Sequence, residues 1–561
     1  MSARQPILFR TEAAAGRDTA PARTEPARIL LCVLPYLVFQ PEASLPGKTV
    51  RSFLAFPYGV LTIASYLKNR AAPAPDVQIV DLNLFPTAEE RRAELRRRLE
   101  LLRPHVVGFS MSYDISYAHV GELADEVKRF DPRIVTVMGG PAVTTAWEDI
   151  LGAQGGVDAL CYSEGEQAML GLAQAGDFAL ELQRDPWVTR ASLEEKRTPH
   201  AKVLDNLDDA IPVDYGMLDM RRYSMKEAFS PFVAYRNESD VRQFFIVTSR
   251  GCPFKCVFCA EPSFHGSSMR YASVDAIIEH VRHLVSRYGM NVLTFYDDQL
   301  LMDQRRAKEL FRRLAEFRLR IEMPNGITLA LIDDELARLM KQAGVDTVFL
   351  AIESGSDYVL KKIIKKPMRL DKAGAIIESL RGNGIFVSAF FIIGFPGELE
   401  EHREQTREFI AKVGIDWSFF NYATPLRGSE LFRICLEKGW IDSKYRGIGK
   451  VDMTEYIIRA PGLDPQRITD QIYRMNLEAN FVNNHRMRIG DYATAKRCFE
   501  EVLERHPEHP FALYFLSMAQ QALDTEPEQA ARNLRRYQEI LSANPRWRDI
   551  AASFGLPLTV Q

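Results

Sequence analysis

Three cysteines stand within eight residues, in the run Cys252-Pro253-Phe254-Lys255-Cys256-Val257-Phe258-Cys259. Three thiolates on one short loop can hold three irons of a cubane iron–sulfur cluster and leave the fourth iron open to a small molecule. A structural zinc site wants four ligands, and no further Cys or His lies nearby until His265. The other cysteines, Cys32, Cys161, Cys435 and Cys498, are scattered, which is no disulfide framework for a chain of 561 residues.

The elements around the run predict where such chemistry sits. Strands are expected at residues 244–248, 292–296, 321–323, 347–352, 387–393 and 418–422, with helical patterns at 274–288, 305–317, 333–343, 371–383 and 399–413 between them. Six strand and helix units suit an open partial barrel, a (β/α)6 arrangement, whose chemistry collects at the carboxyl ends of its strands. Those ends carry Tyr296-Asp297-Asp298, Glu353-Ser354-Gly355-Ser356 and Gly394-Phe395-Pro396-Gly397-Glu398. Taken singly, the acids could cap a helix or sit satisfied in a barrel, and the glycines could form an ordinary turn.

An earlier alternating series, with strands at residues 29–34, 77–81, 106–110, 134–139 and 158–162, predicts a parallel sheet covered by helices. Its turns, Gly108-Phe109-Ser110-Met111-Ser112, Met138-Gly139-Gly140-Pro141 and Tyr162-Ser163-Glu164-Gly165-Glu166, lie where an α/β sheet opens its ligand crevice. A doubly wound domain without a ligand fits the same pattern. Residues 176–240 read as a linker, and residues 1–27 as a disordered lead-in without a secretory signal. In residues 461–561, Gly490, Tyr492, Ala495, Phe499, Leu503 and Pro507 match a tetratricopeptide (TPR) helical hairpin, and Tyr537 and Pro545 suggest a second, degenerate copy. A plain helical cap is the alternative reading.

The formal charge of −3 gives no reason to expect a nucleic-acid partner, and no apolar run is long enough for a membrane span. A cytoplasmic protein is expected.

The cysteine spacing, on a loop after the first strand of a partial barrel, resembles the radical S-adenosylmethionine (SAM) superfamily, and the likeness extends over residues 241–460. It implies a [4Fe–4S] cluster on Cys252, Cys256 and Cys259, with SAM at the open iron. It also implies SAM contacts from Phe258, Tyr296, Asp297, Asp298, Glu353, Ser354, Gly394 and Pro396. Residues 28–175 resemble the Rossmann-like cobalamin-binding domain that precedes many such cores, on Phe56-Pro57-Tyr58-Gly59, residues 77–83 and the three turns above. That likeness implies cobalamin contacts from Arg51, Tyr58, Ser110, Met111, Ser112, Gly139, Gly140, Pro141, Glu164 and Gly165. The Asp-x-His-x-x-Gly motif of mutase-type cobalamin domains is missing, and residues 35–55 contain no histidine, so Arg51, Lys48 and Tyr36 are the candidates beneath the corrin.

The combined layout is similar to the cobalamin-dependent radical SAM methyltransferases. This implies methyl transfer from SAM via methylcobalamin to a carbon of a small-molecule or peptide natural product, with an electron donor such as flavodoxin or ferredoxin. The rivals are a non-methylating enzyme with the same cofactors, such as an oxidative cyclase, and a TPR-type peptide-binding protein with an inactive barrel. The sequence names no catalytic acid or base.

Overall fold

A computed structural model describes residues 23–36, 39–41, 49–51, 54–153, 155–223, 239–451 and 455–559. Most of the expected lead-in, part of the linker, Lys48 and the side chain of Arg51 lie outside the described residues. The strands, in chain order, are β1 (Arg28–Val33), β2 (Phe39–Pro41), β3 (Thr49–Arg51), β4 (Asp76–Asp81), β5 (Val106–Ser110), β6 (Val135–Gly139), β7 (Ala159–Cys161) and β8 (Trp187–Val188). They continue as β9 (Gln243–Ile246), β10 (Ser249–Arg250), β11 (Arg270–Tyr271), β12 (Val292–Phe295), β13 (Arg320–Glu322), β14 (Thr347–Glu353), β15 (Phe386–Ile393) and β16 (Trp417–Tyr422). Contacts divide this α/β chain into two units, and the division falls inside the expected barrel region.

The first unit comprises Met1–Ser224, Arg242–Leu300 and Thr424–Met453. Its main sheet has the order β4-β1-β5-β6-β7-β8. The β-branched and apolar runs of β1, β5 and β6 are buried on both faces, which is what a parallel sheet between helix layers requires. All its pairs are parallel except β7 with β8, an edge strand from the segment expected as linker. Strand order reverses between β1 and β5, so the crevice of such a sheet opens at their carboxyl ends. Leu30, Val107, Phe109, Met138 and Leu160 lie within one buried cluster that also takes in Ile448. The same unit holds the parallel pair β9 and β12, and the short antiparallel pair β10 and β11.

The second unit comprises Met225–Val241, Leu301–Ala423 and Thr454–Gln561. Strands β14, β15 and β16 form a parallel sheet, and Ile321 in β13 bridges Val345 in the parallel sense. The helices between strands follow the expected periodicity closely, as in Asp334–Ala343, Ala373–Gly382 and Glu400–Val413, with a glycine closing two of them in the left-handed conformation, Gly344 and Gly414. C-terminal helices Tyr492–Arg505, Pro510–Ala522, Pro527–Ala543 and Pro545–Ser553 pack successively on one another. Phe481, Phe499, Phe511 and Tyr537 share one buried cluster with Phe386 of β15 and Trp417 of β16.

Candidate functional site

The three cysteines lie on the loop between β10 and β11. Gly251 opens it at φ +91°, and a Cβ there would stand 2.3 Å from the carbonyl oxygen of Ser268, so the chain can turn into the loop only without a side chain. Cys252 is buried and donates its backbone N–H to Gly266 at 3.1 Å, while Cys256 and Cys259 are half-buried and joined by a 3.0 Å backbone bond from Cys259 N. The Cys259 thiol is pushed up to about 12, first by burial and then by neighbours that include the other two sulfurs. Charge on the other two sulfurs thus disfavours the Cys259 thiolate, a cost that positive metal removes. Among the described residues no three such side chains converge on one ion. A cubane differs from a single ion in taking each thiolate on a different iron, and three thiols spread over one loop suit it.

The carboxyl end of β12 stands beside this loop in the same unit. Asp297 accepts hydrogen bonds from Thr248 N and Oγ1, the latter at 2.7 Å, and from Ser249 Oγ at 2.6 Å, and so ties β12 to the start of the loop. Its carboxylate, expected at SAM, is buried and committed to this tie. Asp298 reaches solvent but is crowded by protein, which raises its pKa. Burial, with Asp298 beside it, pushes the Glu261 carboxyl up to about 9. Tyr296 packs its ring on Phe245 at 5.0 Å, and Phe258 is half-buried.

At the crevice of the large sheet, Ser110, Gly139, Gly140 and Pro141 are half-buried and Ser112 is exposed. Tyr113 and Ile115 follow with exposures of 43% and 45%, an apolar pair at the strand ends that the sequence did not single out. Tyr36 lies against Tyr113 with ring centroids 4.6 Å apart, its hydroxyl accepting from Ala55 N at 2.7 Å. Two expected contacts face inward: Met111 is fully buried, and Tyr58 is buried at the start of the helix Tyr58–Arg70. Gly140 has φ +116°, and its missing Cβ makes room for the Met111 carbonyl oxygen, which would stand 2.6 Å from it.

Glu164, expected at cobalamin, is 6% exposed, and its oxygens accept from Arg250, Arg270 and His265. Burial alone would raise its pKa, but Arg250, with His265 and Arg270, holds it well below the ordinary carboxylate range. Gly165 lies under Ile63, whose Cδ1 would stand 2.7 Å from an added Cβ.

In the second unit, Glu353 ends β14 at φ +69°, next to a register shift against β15. Its carboxylate is paired at 2.8 Å with Lys366, both side chains buried, and the pair holds a backbone conformation unusual for a non-glycine residue. Ser354 is buried beside Thr406, their oxygens 3.3 Å apart. Gly394 gives its N–H to Glu398 at 2.5 Å and receives the Tyr456 hydroxyl on its carbonyl at 2.6 Å. Tyr456 also occupies the space of the missing Cβ, 2.6 Å from where it would lie. Pro396 is half-buried. Lys366, Tyr456, Arg250 and Arg270 were not legible as site residues, because each partner lies many residues away along the chain and no periodicity marks the pair.

Residues 246–410 match the family model of the radical SAM superfamily, and residues 48–173 that of the B12 binding domain. The cytidylyl-2-hydroxyethylphosphonate methyltransferase of Streptomyces wedmorensis is 33% identical over 51% of this chain, and the match spans about half, 54%, of that protein's length. The anaerobic magnesium-protoporphyrin IX monomethyl ester cyclase of Rubrivivax gelatinosus is 26% identical, over 67% of this chain and 66% of that one. The structure of the cobalamin-dependent SAM radical enzyme OxsB, with aqua-cobalamin and SAM bound, aligns with a TM-score of 0.59 at 13% identity, covering 94% of this chain and 80% of that one.

Proposed function

Because this chain belongs to the cobalamin-dependent radical SAM enzymes, we propose that it transfers a methyl group from SAM to a carbon of a small-molecule or peptide natural product. The observation that carries the reading is the trio of thiols on one glycine-opened loop, in a chain that also holds a B12-type sheet. Its cofactors are a [4Fe–4S] cluster, SAM and cobalamin. When bound, they supply an electron source, a donor of adenosyl and methyl groups, and a methyl carrier.

The protein's own residues bind and orient. Cys252, Cys256 and Cys259 hold the cluster, and Phe258, Tyr296 and Asp298 flank the open position from the same unit. Asp297 fixes the loop against β12 through Thr248 and Ser249. In the second unit, Glu353, Ser354 and the turn from Gly394 to Pro396 serve the nucleoside, with Lys366 and Tyr456 holding them in place. Ser110, Ser112, Gly139, Gly140 and Pro141 would hold cobalamin, and the exposed ring of Tyr113 and side chain of Ile115 suit the apolar edge of a corrin. Glu164 and Gly165 serve that ligand through the turn they shape. Arg51 is a candidate beneath the corrin, as is Tyr36, whose ring is already fixed by Ala55. A flavodoxin or ferredoxin supplies electrons. Among the described residues no helix is long and apolar enough to cross a membrane.

The test is spectroscopic first. Protein purified without oxygen and supplied with cobalamin is expected to show iron–sulfur and corrin absorption together, and Cys256→Ala is expected to lose the iron–sulfur band and keep the corrin. SAM labelled in its methyl group is then supplied with extract of the producing cells, and label is expected in a new product. A product without label would favour the second reading, a cyclase or rearrangement, for which the likeness to the protoporphyrin ester cyclase speaks.

A further inference from the structure

Strands β10 and β11 are the two-residue stem of the hairpin that carries the cysteine loop, and in their antiparallel register Arg250 stands directly opposite Arg270. Like charges facing each other across a strand pair repel, more so when both side chains are nine-tenths buried, as these are at 8% and 10% exposure. The stem therefore needs an anion between the guanidiniums, and the hairpin itself supplies none at that place. It comes from the turn after β7, in the cobalamin-binding sheet. Glu164 Oε2 accepts from Arg250 Nη1 at 2.9 Å, from Arg270 Nη1 at 3.0 Å and from Leu204 N at 3.3 Å. Its Oε1 accepts from Arg270 Nη2 at 2.5 Å and lies 3.0 Å from His265 Nδ1. Glu166 Oε1 takes the remaining arm of Arg250, Nη2, at 2.6 Å. The neighbouring Ser163, at φ +75°, donates its hydroxyl to the Phe264 carbonyl within the cysteine loop at 2.6 Å.

We propose that Glu164 is a positioning residue for the iron–sulfur cluster: it closes the Arg250–Arg270 stem and thereby sets where Cys252, Cys256 and Cys259 stand relative to the cobalamin-binding sheet that bears it. This rests on the cluster reading above. The charges balance, two arginines against Glu164 and Glu166, and every protein contact of Glu164 named here is a donor or a histidine nitrogen. An amide in its place would turn an N–H toward N–H groups, so Glu164→Gln keeps the shape and removes the fit. Loop misplacement of this kind acts on geometry and leaves the three thiols intact.

The full-length protein is reconstituted anaerobically with iron, sulfide and cobalamin, as wild type, Glu164→Gln and Glu126→Gln. Glu126 is the matched control, a buried carboxylate with two arginine partners, Arg96 and Arg129, in the same unit and away from the loop. Three quantities are read: iron per chain, the change that SAM makes in the electron paramagnetic resonance spectrum of the reduced cluster, and release of 5′-deoxyadenosine with a chemical reductant. Glu164→Gln is expected to retain iron, to lose or alter the SAM-dependent spectral change, and to release 5′-deoxyadenosine roughly 10- to 100-fold more slowly. Glu126→Gln is expected to match wild type in all three. Adding Arg270→Gln to Glu164→Gln removes one of the facing cations and is expected to recover part of the loss. A Glu164→Gln protein indistinguishable from wild type overturns the proposal, and so does an equal loss in Glu126→Gln. Should Glu164→Gln fail to fold, Ser163→Ala, which removes one hydrogen bond to the loop, must show a smaller change in the same spectrum, and an unchanged spectrum overturns the proposal. Wild-type protein without a cluster signal would overturn the proposed function and this inference with it.

Discussion

His280, on the helix Val274–Tyr288, is 3% exposed and lies on Tyr215 with ring centroids 5.8 Å apart. Neither ring nitrogen has a hydrogen-bond partner among the described residues, so protonation would bury an uncompensated charge. Burial, with a smaller push from His283, lowers its pKa from 6.5 to about 4. The unfolded chain binds a proton there between roughly pH 6.5 and 4 that the folded chain refuses, so the stability present above the upper value is lost as pH falls through the lower. At full extent the loss is about 3 kcal/mol. Thermal unfolding of wild type is expected to move down steeply on acidification through that window, and His280→Phe, which keeps a ring on Tyr215, is expected to flatten the dependence. Identical pH profiles for the two proteins would show that the charge is accommodated. At this scale the cysteines were legible because their spacing is itself the chemistry. Glu164 was legible as part of a turn, but not its partners, which lie 86 and 106 residues away.

Strand β16 shows how an element is completed from outside its own sheet. On one side it pairs with β15. On its other side the buried Asn480 accepts from Ser418 N and donates to Ser418 O, both at 2.8 Å, as one more strand would. An open edge is a hazard for misassociation, and an amide side chain closes it at one residue. Asn480→Ala leaves a buried N–H and carbonyl without partners, a cost of about 2–4 kcal/mol. Equilibrium urea unfolding is the measurement, and a change below about 1 kcal/mol would mean that water satisfies Ser418 instead. The strands of the two alternating series were predictable to within about two residues, since periodicity is local, whereas the short β2, β3, β8, β10 and β11 were not expected, because two or three residues carry no period. The Asn480 substitute was not, because an asparagine in a helical stretch carries no sign of the strand it will meet.

Across the whole molecule, the fold groups segments that lie far apart along the chain. Thr424–Met453 belongs with the first unit, where Leu431 N bonds to Val257 O at 2.7 Å inside the cysteine loop and Arg427 pairs with Asp149 at 2.8 Å. In the second unit the C-terminal helices share their core with the sheet, covering Phe386 and Trp417 with Leu477, Phe481 and Phe499. A chain ending at residue 460 would expose those two aromatics to water. Burial of each large apolar side chain is worth roughly 1.5–3 kcal/mol, and the helices bury many. The truncated protein is expected to be insoluble or to run as aggregate in size-exclusion chromatography, and a monodisperse truncated protein would show that the helices are a separable appendage.

What the sequence determined alone was local: three thiols at a fixed spacing, and the longer strands and helices from their periods. These are properties of neighbours along the chain, and spacing records them. Only the tertiary structure decided which charges meet. It set Arg250 against Arg270, placed Glu164 between them, bound Glu353 to Lys366 and turned Met111 into the core. Such pairings depend on how distant segments are brought into register, and an ion pair or a buried methionine has the same sequence appearance whether its partner lies beside it or a hundred residues away.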